Sequence, residues 1–175
     1  MLWSAAFPAV DPISYEAAVA ADPVVVESTE TPGGSTNTEA ELSAEQAELM
    51  ARDPDWNAHA SLYHAGGGGA TGNDSLGCRP VAMRTLATDP RVIPRRTRLF
   101  IRETVGIRLP DGTVHDGYWY ASDTGGAIRG QRVDLYTGNG RRSMDPVMRF
   151  NQRRLTITNA GRFEGCPPDW QTASN

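Results

Sequence analysis

The sequence has no lysine. All 17 of its basic residues are arginine, set against 21 acids for a net charge of −4. That choice is a compositional mark of a high-GC genome. Cysteine is nearly absent: Cys78 and Cys166 stand alone, with no CxxC pair and no Cys/His spacing of the kind that holds zinc. The three histidines, His59, His64 and His115, share no ligand spacing either, so no metal is expected. No apolar run approaches the length of a membrane span. Met1–Val10 is apolar but lacks a positive flank and is too short for a complete signal peptide. The glycine-rich run Gly66–Asp74 lacks the Gly-Lys-Ser/Thr ending of a P-loop and the spacing of a dinucleotide fingerprint. Nucleotide binding is therefore set aside, no cofactor is expected, and the run reads as a loop. Ser122 has no histidine at a triad-like position, which argues against a serine nucleophile. There is no internal repeat.

At 175 residues one domain is the expectation, with enough chain for an ordinary core. Charge is unevenly placed. Residues 1–56 hold 11 acids and one arginine, whereas residues 57–175 hold 16 arginines against 10 acids. The positive excess of the second part favours an anionic partner.

Several short strands punctuated by glycine and proline organise the chain. Residues 1–26 offer a short helix near Ser14–Ala20 and the β-branched run Val24–Val26, and Glu27–Ala40 reads as a flexible linker. Ser43 with Gln46 three residues on is a capping-box pattern that starts a helix, and Asp53-Pro54 ends it. Strands are expected at Trp56–Tyr63, Thr97–Thr104, Gly106–Leu109, Gly117–Ala121, from Arg132 onward, and at Arg153–Thr158. Val81–Ala87 fits a strand or one helical turn, and Ser143–Phe150 a short helix. Leu109-Pro110-Asp111-Gly112 is a strong turn signal. This pattern indicates a small barrel.

The centre of the chain is Gly117–Thr137. Tyr118 and Tyr120 alternate with Trp119 and Ala121, then Asp123-Thr124-Gly125-Gly126 makes a tight turn, and Asp134 falls inside the next strand. A carboxylate beside glycines and aromatics is costly unless solvated, paired or used. Asp123 has two readings from the residues alone, an Asx cap of its turn or a catalytic acid. Asp134 is either its partner or the acid in a salt bridge to Arg129 or Arg132.

DTGGAIRGQRVDLYTG, together with Ala87-Thr88-Asp89-Pro90-Arg91-Val92-Ile93-Pro94 upstream, resembles the three-aspartate (3D) domain. That domain occurs in the membrane-bound lytic transglycosylase A family and in stationary-phase survival muramidases. Arg129 stands where the family usually has lysine, which changes a point charge to a planar fork. The resemblance implies a mainly β fold, a six-stranded double-psi β-barrel over residues 56–160 with a few short helices. Residues 1–55 would be an acidic N-terminal segment and 161–175 a tail. It also implies lytic cleavage of peptidoglycan at the MurNAc–GlcNAc β-1,4 bond. In that scheme Asp123 is the acid/base, Asp134 its partner, and Asp89 either a third catalytic residue or a loop anchor. Tyr118, Tyr120, Thr124, Gly125, Gly126 and Arg129 would bind the glycan. If the protein is exported, to periplasm or outside, a Cys78–Cys166 disulfide is expected. Its leader would then have been removed, or another export route used. The expected partner is a peptidoglycan strand, with no nucleic acid and no membrane span; a homodimer or the N-terminal segment could supply a second wall of the groove. The alternative reading is a non-catalytic glycan-binding module.

Overall fold

The computed structural model describes residues 42–67 and 72–170, so the expectations for Ser14–Ala20, Val24–Val26 and Glu27–Ala40 lie outside the described residues. The described residues fall in one compact unit. Helix α1 spans Ala44–Ala51, followed by strands β1 Trp56–Ala65, β2 Thr85–Thr88, β3 Thr97–Ile101, β4 Tyr118–Thr124, β5 Arg132–Asn139 and β6 Arg154–Arg162. Two 3-10 segments, Arg102–Thr104 and Arg141–Phe150, complete it. The strands close into a barrel in the spatial order β1-β5-β2-β4-β3-β6. Pairing is parallel for β1 with β5 and β2 with β4, and antiparallel elsewhere.

The core follows from the alternation. Leu86, Leu99, Ile101, Trp119, Ala121, Val133, Leu135, Leu155 and Ile157 are fully or almost fully buried, and Val147 and Phe150 of the second 3-10 segment join them. Each large aliphatic side chain so buried contributes about 1.5–3 kcal/mol. Trp119 keeps its indole N–H satisfied by the Thr104 hydroxyl at 3.1 Å.

Two expected strands differ from the pattern: one is absent and one is shorter. The segment Gly106–Leu109 is not a strand: one isolated bridge, Arg108 to Val114, flanks the turn, and Leu109 N–H donates to Thr113 at 2.8 Å. The Pro-Asp-Gly turn closes too soon after Gly106 for a ladder to grow. The expected strand to Thr104 stops at Ile101, whose carbonyl accepts from the Thr104 hydroxyl at 2.8 Å.

Helix α1 packs on the barrel, so compact structure begins before residue 56. The capping box forms both ways: Gln46 N–H donates to Ser43 Oγ at 3.2 Å, and Ser43 N–H donates to the Gln46 side chain at 2.7 Å. The Gln46 amide also donates to the Asp116 carbonyl at 2.8 Å. Leu49 sits among Phe100, Tyr118 and Tyr120, and Glu45 pairs with Arg98. At the other end of the chain, Cys166 is bonded to Cys78, 88 residues away. Trp170 lies over the Arg84 guanidinium at 3.7 Å from its ring centre and donates to Ala82 O at 3.0 Å. Arg84 is buried and paired with Asp116 at 2.6 Å. His115 stacks on Trp119, donates from Nε2 to Met83 O at 2.9 Å, and accepts at Nδ1 from Gly117 N–H at 2.9 Å. Both ring nitrogens are thus used by the neutral imidazole.

Two tests follow from this packing. Replacing both cysteines by serine removes a cross-link closing a long loop and should lower the unfolding free energy by about 4 kcal/mol in urea denaturation; an unchanged midpoint would contradict it. Burial, reinforced by the Arg84 charge, depresses His115 from 6.5 to about 4, against the opposing pull of Asp116. The unfolded chain therefore takes up this proton first. Stability is complete above pH 6.5 and falls by about 3 kcal/mol as pH drops toward 4. A His115→Gln variant should show a flatter urea-midpoint profile over that window.

Candidate active site

The two aspartates of the central stretch stand on one wall of the barrel. Strand β2 lies between β4 and β5, and Ala87 is the register partner of Asp123 on one side and Asp134 on the other. All three share the face opposite Leu86, Ala121 and Leu135, which point into the core. With strands about 4.8 Å apart, the aspartate Cα atoms are level and about 10 Å apart. Asp123 reaches this face through a β-bulge. Ala121 pairs with Leu86 but Asp123, not Ser122, pairs with Ala87.

Strand β1 completes the wall. Ser61 is opposite Asp134 and Tyr63 opposite Tyr136. The Tyr63 hydroxyl donates to Asp123 Oδ2 at 2.9 Å, and its ring contacts Tyr136 at 5.2 Å between centres. Burial, then the Asp123 charge, hold the Tyr63 phenol far above the usual range, so it remains a donor. Asp123 Oδ1 accepts from Thr124 N–H at 2.8 Å and Ser75 N–H at 3.1 Å. The Ser75 hydroxyl donates to Ser122 O at 2.9 Å, which folds the segment after the glycine-rich run against the end of β4. Asp74 fixes that segment, accepting at Oδ1 from Leu76 and Cys78 N–H at 3.0 and 2.8 Å.

Asp134 is different. It is half-buried, its Oδ1 has no hydrogen-bond partner, and it makes no ion pair among the described residues. Arg129, a candidate salt-bridge partner, instead donates to Gly125 O and Ile128 O at 3.2 and 3.1 Å. Burial raises the Asp134 carboxyl above the usual carboxylate range; the Ser61 side chain and the Arg132 charge offset part of this, and the Asp123 charge adds to it.

Asp89 has an anchor's geometry. It is buried, and each carboxylate oxygen accepts twice: Oδ1 from Arg91 N–H and Nε at 3.2 and 3.1 Å, Oδ2 from Arg91 Nη2 and Gly130 N–H at 2.9 Å each. It ties the Asp-Pro turn to the far end of the glycine turn. The Arg91 side chain, with the Gly130 and Arg91 amides, holds this carboxyl well below the usual range. Tyr118 and Tyr120 do not offer open ring faces. They are 9% and 7% exposed, covered by Leu49 of α1 and by Phe163, because the outer face of β3 and β4 is the seat of that helix. The aromatic edge near the aspartates is Tyr63 and Tyr136, which sequence reasoning did not single out. The period-2 alternation of Trp56–Tyr63 already placed Tyr63 on the face of Ser61.

Open space lies at both ends of this wall. Thr124, Gly125, Gly126 and Arg129 line a pocket of about 300 Å³ with Pro90 and Arg95. Two residues beyond Asp134 on β5, Tyr136 borders a cavity of about 730 Å³ that Trp170, Arg79 and Asn139 also line. Among the described residues no group of His, Cys, Asp or Glu could hold a metal ion. No helix among them is long and apolar enough to cross a membrane.

Residues 84–147, which contain all three aspartates, match the 3D domain family. Solved structures similar to it include Escherichia coli MltA with bound chitohexaose, 25% identical over 53% of this chain and 29% of that one, with a TM-score of 0.37. The lytic transglycosylase LtgG of Burkholderia pseudomallei is 27% identical over 54% and 29%, with a TM-score of 0.36. A membrane-bound lytic murein transglycosylase from Agrobacterium tumefaciens is 31% identical over 44% and 21%, with a TM-score of 0.32. The chain thus spans less than a third of the length of these proteins. No curated protein matches it at a significant level.

The hydrogen-bond geometry of Asp89 predicts its pH signature. A carboxyl depressed in the folded state contributes stability that is complete above the unfolded value near pH 4 and is lost as pH falls below it. Asp89→Asn should therefore lower the thermal midpoint at pH 7, and the gap to the parent should narrow by pH 3. A gap that does not change with pH would rule out the ion pair as its cause.

Proposed function

We propose that the chain cleaves the glycan of peptidoglycan in the cell envelope, periplasmic or extracellular, with Asp134 rather than Asp123 as the proton carrier. The observation that carries this reading is the half-buried Asp134 carboxyl: raised, with one oxygen unpartnered, on the wall it shares with Asp123. A general acid needs its proton near neutral pH and an oxygen free to face the substrate. Burial moves the Asp134 carboxyl in that direction and leaves its buried Oδ1 claimed by no donor, whereas Asp123 has both oxygens engaged by Tyr63, Ser75 and Thr124. The 3D domain supports the substrate class, and we read its six-stranded barrel as a double-psi barrel.

The bond is the β-1,4 link from N-acetylmuramic acid to N-acetylglucosamine. Asp134 gives its proton to the bridging oxygen as the bond from that oxygen to the muramoyl C1 breaks. The resulting carboxylate then takes the proton of the muramoyl C6 hydroxyl while that oxygen closes onto C1. The product is a 1,6-anhydro sugar, no water is consumed, and Asp134 ends protonated as it began. Asp123 serves by charge: it helps keep the proton on Asp134 before the reaction and faces the positive charge that develops at C1. Tyr63 holds Asp123 in place. Trp170, half-buried at the rim of the larger cavity, provides flat apolar surface for a sugar ring.

Sacculus solubilisation by single variants tests the assignment. Asp134→Asn should lose a factor of about 10² to 10⁴ or more, since one group serves both proton transfers. Asp123→Asn should keep measurable turnover, with the alkaline limb of its pH profile moved to lower pH because a charge that raises Asp134 is gone. Wild-type turnover in Asp134→Asn, with Asp123→Asn inactive, would return the role to Asp123.

A further inference from the structure

The pocket of about 300 Å³ beside Asp123 has a composition that the cleavage chemistry does not use. Its lining holds two arginines, Arg95 and Arg129, and no acid. The nearest acid along the chain on the Pro90 side, Asp89, is already saturated by Arg91 and Gly130. Neither Arg95 nor Arg129 makes an ion pair among the described residues.

Both guanidinium groups are nonetheless held by backbone. Arg129 donates from Nη1 to Gly125 O and Ile128 O, and Arg95 donates from Nη1 to Ser75 O at 3.4 Å. In each case the contacts use Nη1, which leaves Nε and Nη2 without a partner among the described residues. Two tethered forks on one concave surface suit a carboxylate, which an arginine can take through two parallel hydrogen bonds. Gly126, where an added Cβ would meet nothing within 4 Å, leaves the backbone side open for a ligand to approach. The Ser75 that holds Arg95 also donates its N–H to Asp123, so the cation pocket and the aspartate wall share one short segment.

We infer that Arg95 and Arg129 form a carboxylate-binding site for the peptide stem that branches from the muramoyl residue. The inference rests on the glycan reading above for its choice of ligand. In that reading the muramoyl ring lies over Asp134, and its stem leaves toward the Thr124–Arg129 turn, the end of the wall where positive charge collects. Such a site orients the muramoyl unit without touching the reacting atoms, and it favours strands that still carry peptide over stripped glycan.

The test measures binding directly, on the full chain, by calorimetry with the free stem tetrapeptide L-Ala-D-Glu-diaminopimelate-D-Ala. The parent should bind it, and an Arg95→Gln/Arg129→Gln double variant with an unchanged thermal midpoint should bind at least about tenfold more weakly, the scale of a lost charge-assisted contact. Both side chains are exposed, so the fold should survive. If the double variant does lose stability, amidating the carboxylates of the tetrapeptide should weaken its binding to the parent by a similar factor. No binding by the parent at millimolar peptide overturns the inference, as does equal binding by parent and double variant. Inorganic phosphate binding as tightly as the peptide would overturn the peptide assignment. Sacculus cleavage plays no part in the readout. A chain that binds the stem through these arginines yet leaves sacculi intact would therefore sink the cleavage reading and keep this one.

Discussion

The candidate site depends on one strand register. Four residues of β2, a short buried strand, are gripped between β4 and β5, one neighbour parallel and the other antiparallel. That arrangement sets Ala87 between Asp123 and Asp134 and makes two residues eleven apart in sequence level in space. Ala87 suits the place, because a larger side chain would stand between the carboxyl groups. A slip of one residue in either pairing would turn an aspartate into the core, where an unpaired carboxylate costs several kcal/mol.

The bulge in β4 belongs to the same constraint. By strict alternation Asp123 would follow Trp119 and Ala121 inward. The extra residue is Ser122, fully buried, with its hydroxyl 3.5 Å from that of Thr85. It resets the alternation so that Asp123 emerges beside Asp134. This is also why the sequence was only partly legible. Local signals were read well where the chemistry is local: the Ser43/Gln46 capping box, the Pro-Asp-Gly turn and most of the strands. The 3D motifs were legible because both lie in contiguous stretches. A bulge, by contrast, is set by the partner strand, and no residue of Tyr118–Thr124 announces it alone. The same holds for Tyr118 and Tyr120. Their alternation was correct, but whether that outer face meets solvent or α1 is decided by Leu49, about 70 residues upstream.

The three aspartates of the motif divide their work by environment. Asp89 has four donors and is spent on structure, clamping the two motif segments together. Asp123 has three, one of them the Tyr63 phenol, and is held in place with its charge directed at the wall. Asp134 has burial and an unpartnered oxygen, the combination that leaves a carboxyl able to carry a proton. Equal side chains thus meet different environments, set by the number of hydrogen bonds each receives. Arg91 and Thr124 donate locally, and the other donors come from segments far apart in the chain, namely β1, the turn after the glycine-rich run and the glycine turn before β5. The disulfide at Cys78 and the Asp74 turn beside it fix the second of these, which links the far end of the chain to the Asp123 environment.

The central claim is that one carboxyl on this wall both donates and recovers the proton, so that the muramoyl C6 oxygen replaces water. Mass analysis of the soluble fragments released from purified sacculi tests it most directly. The account predicts fragments ending in 1,6-anhydro-muramoyl groups, one water lighter than the reducing-end forms, with no label taken up at C1 in isotopically heavy water. Reducing ends carrying the heavy oxygen would show that water attacks C1 and would contradict the account.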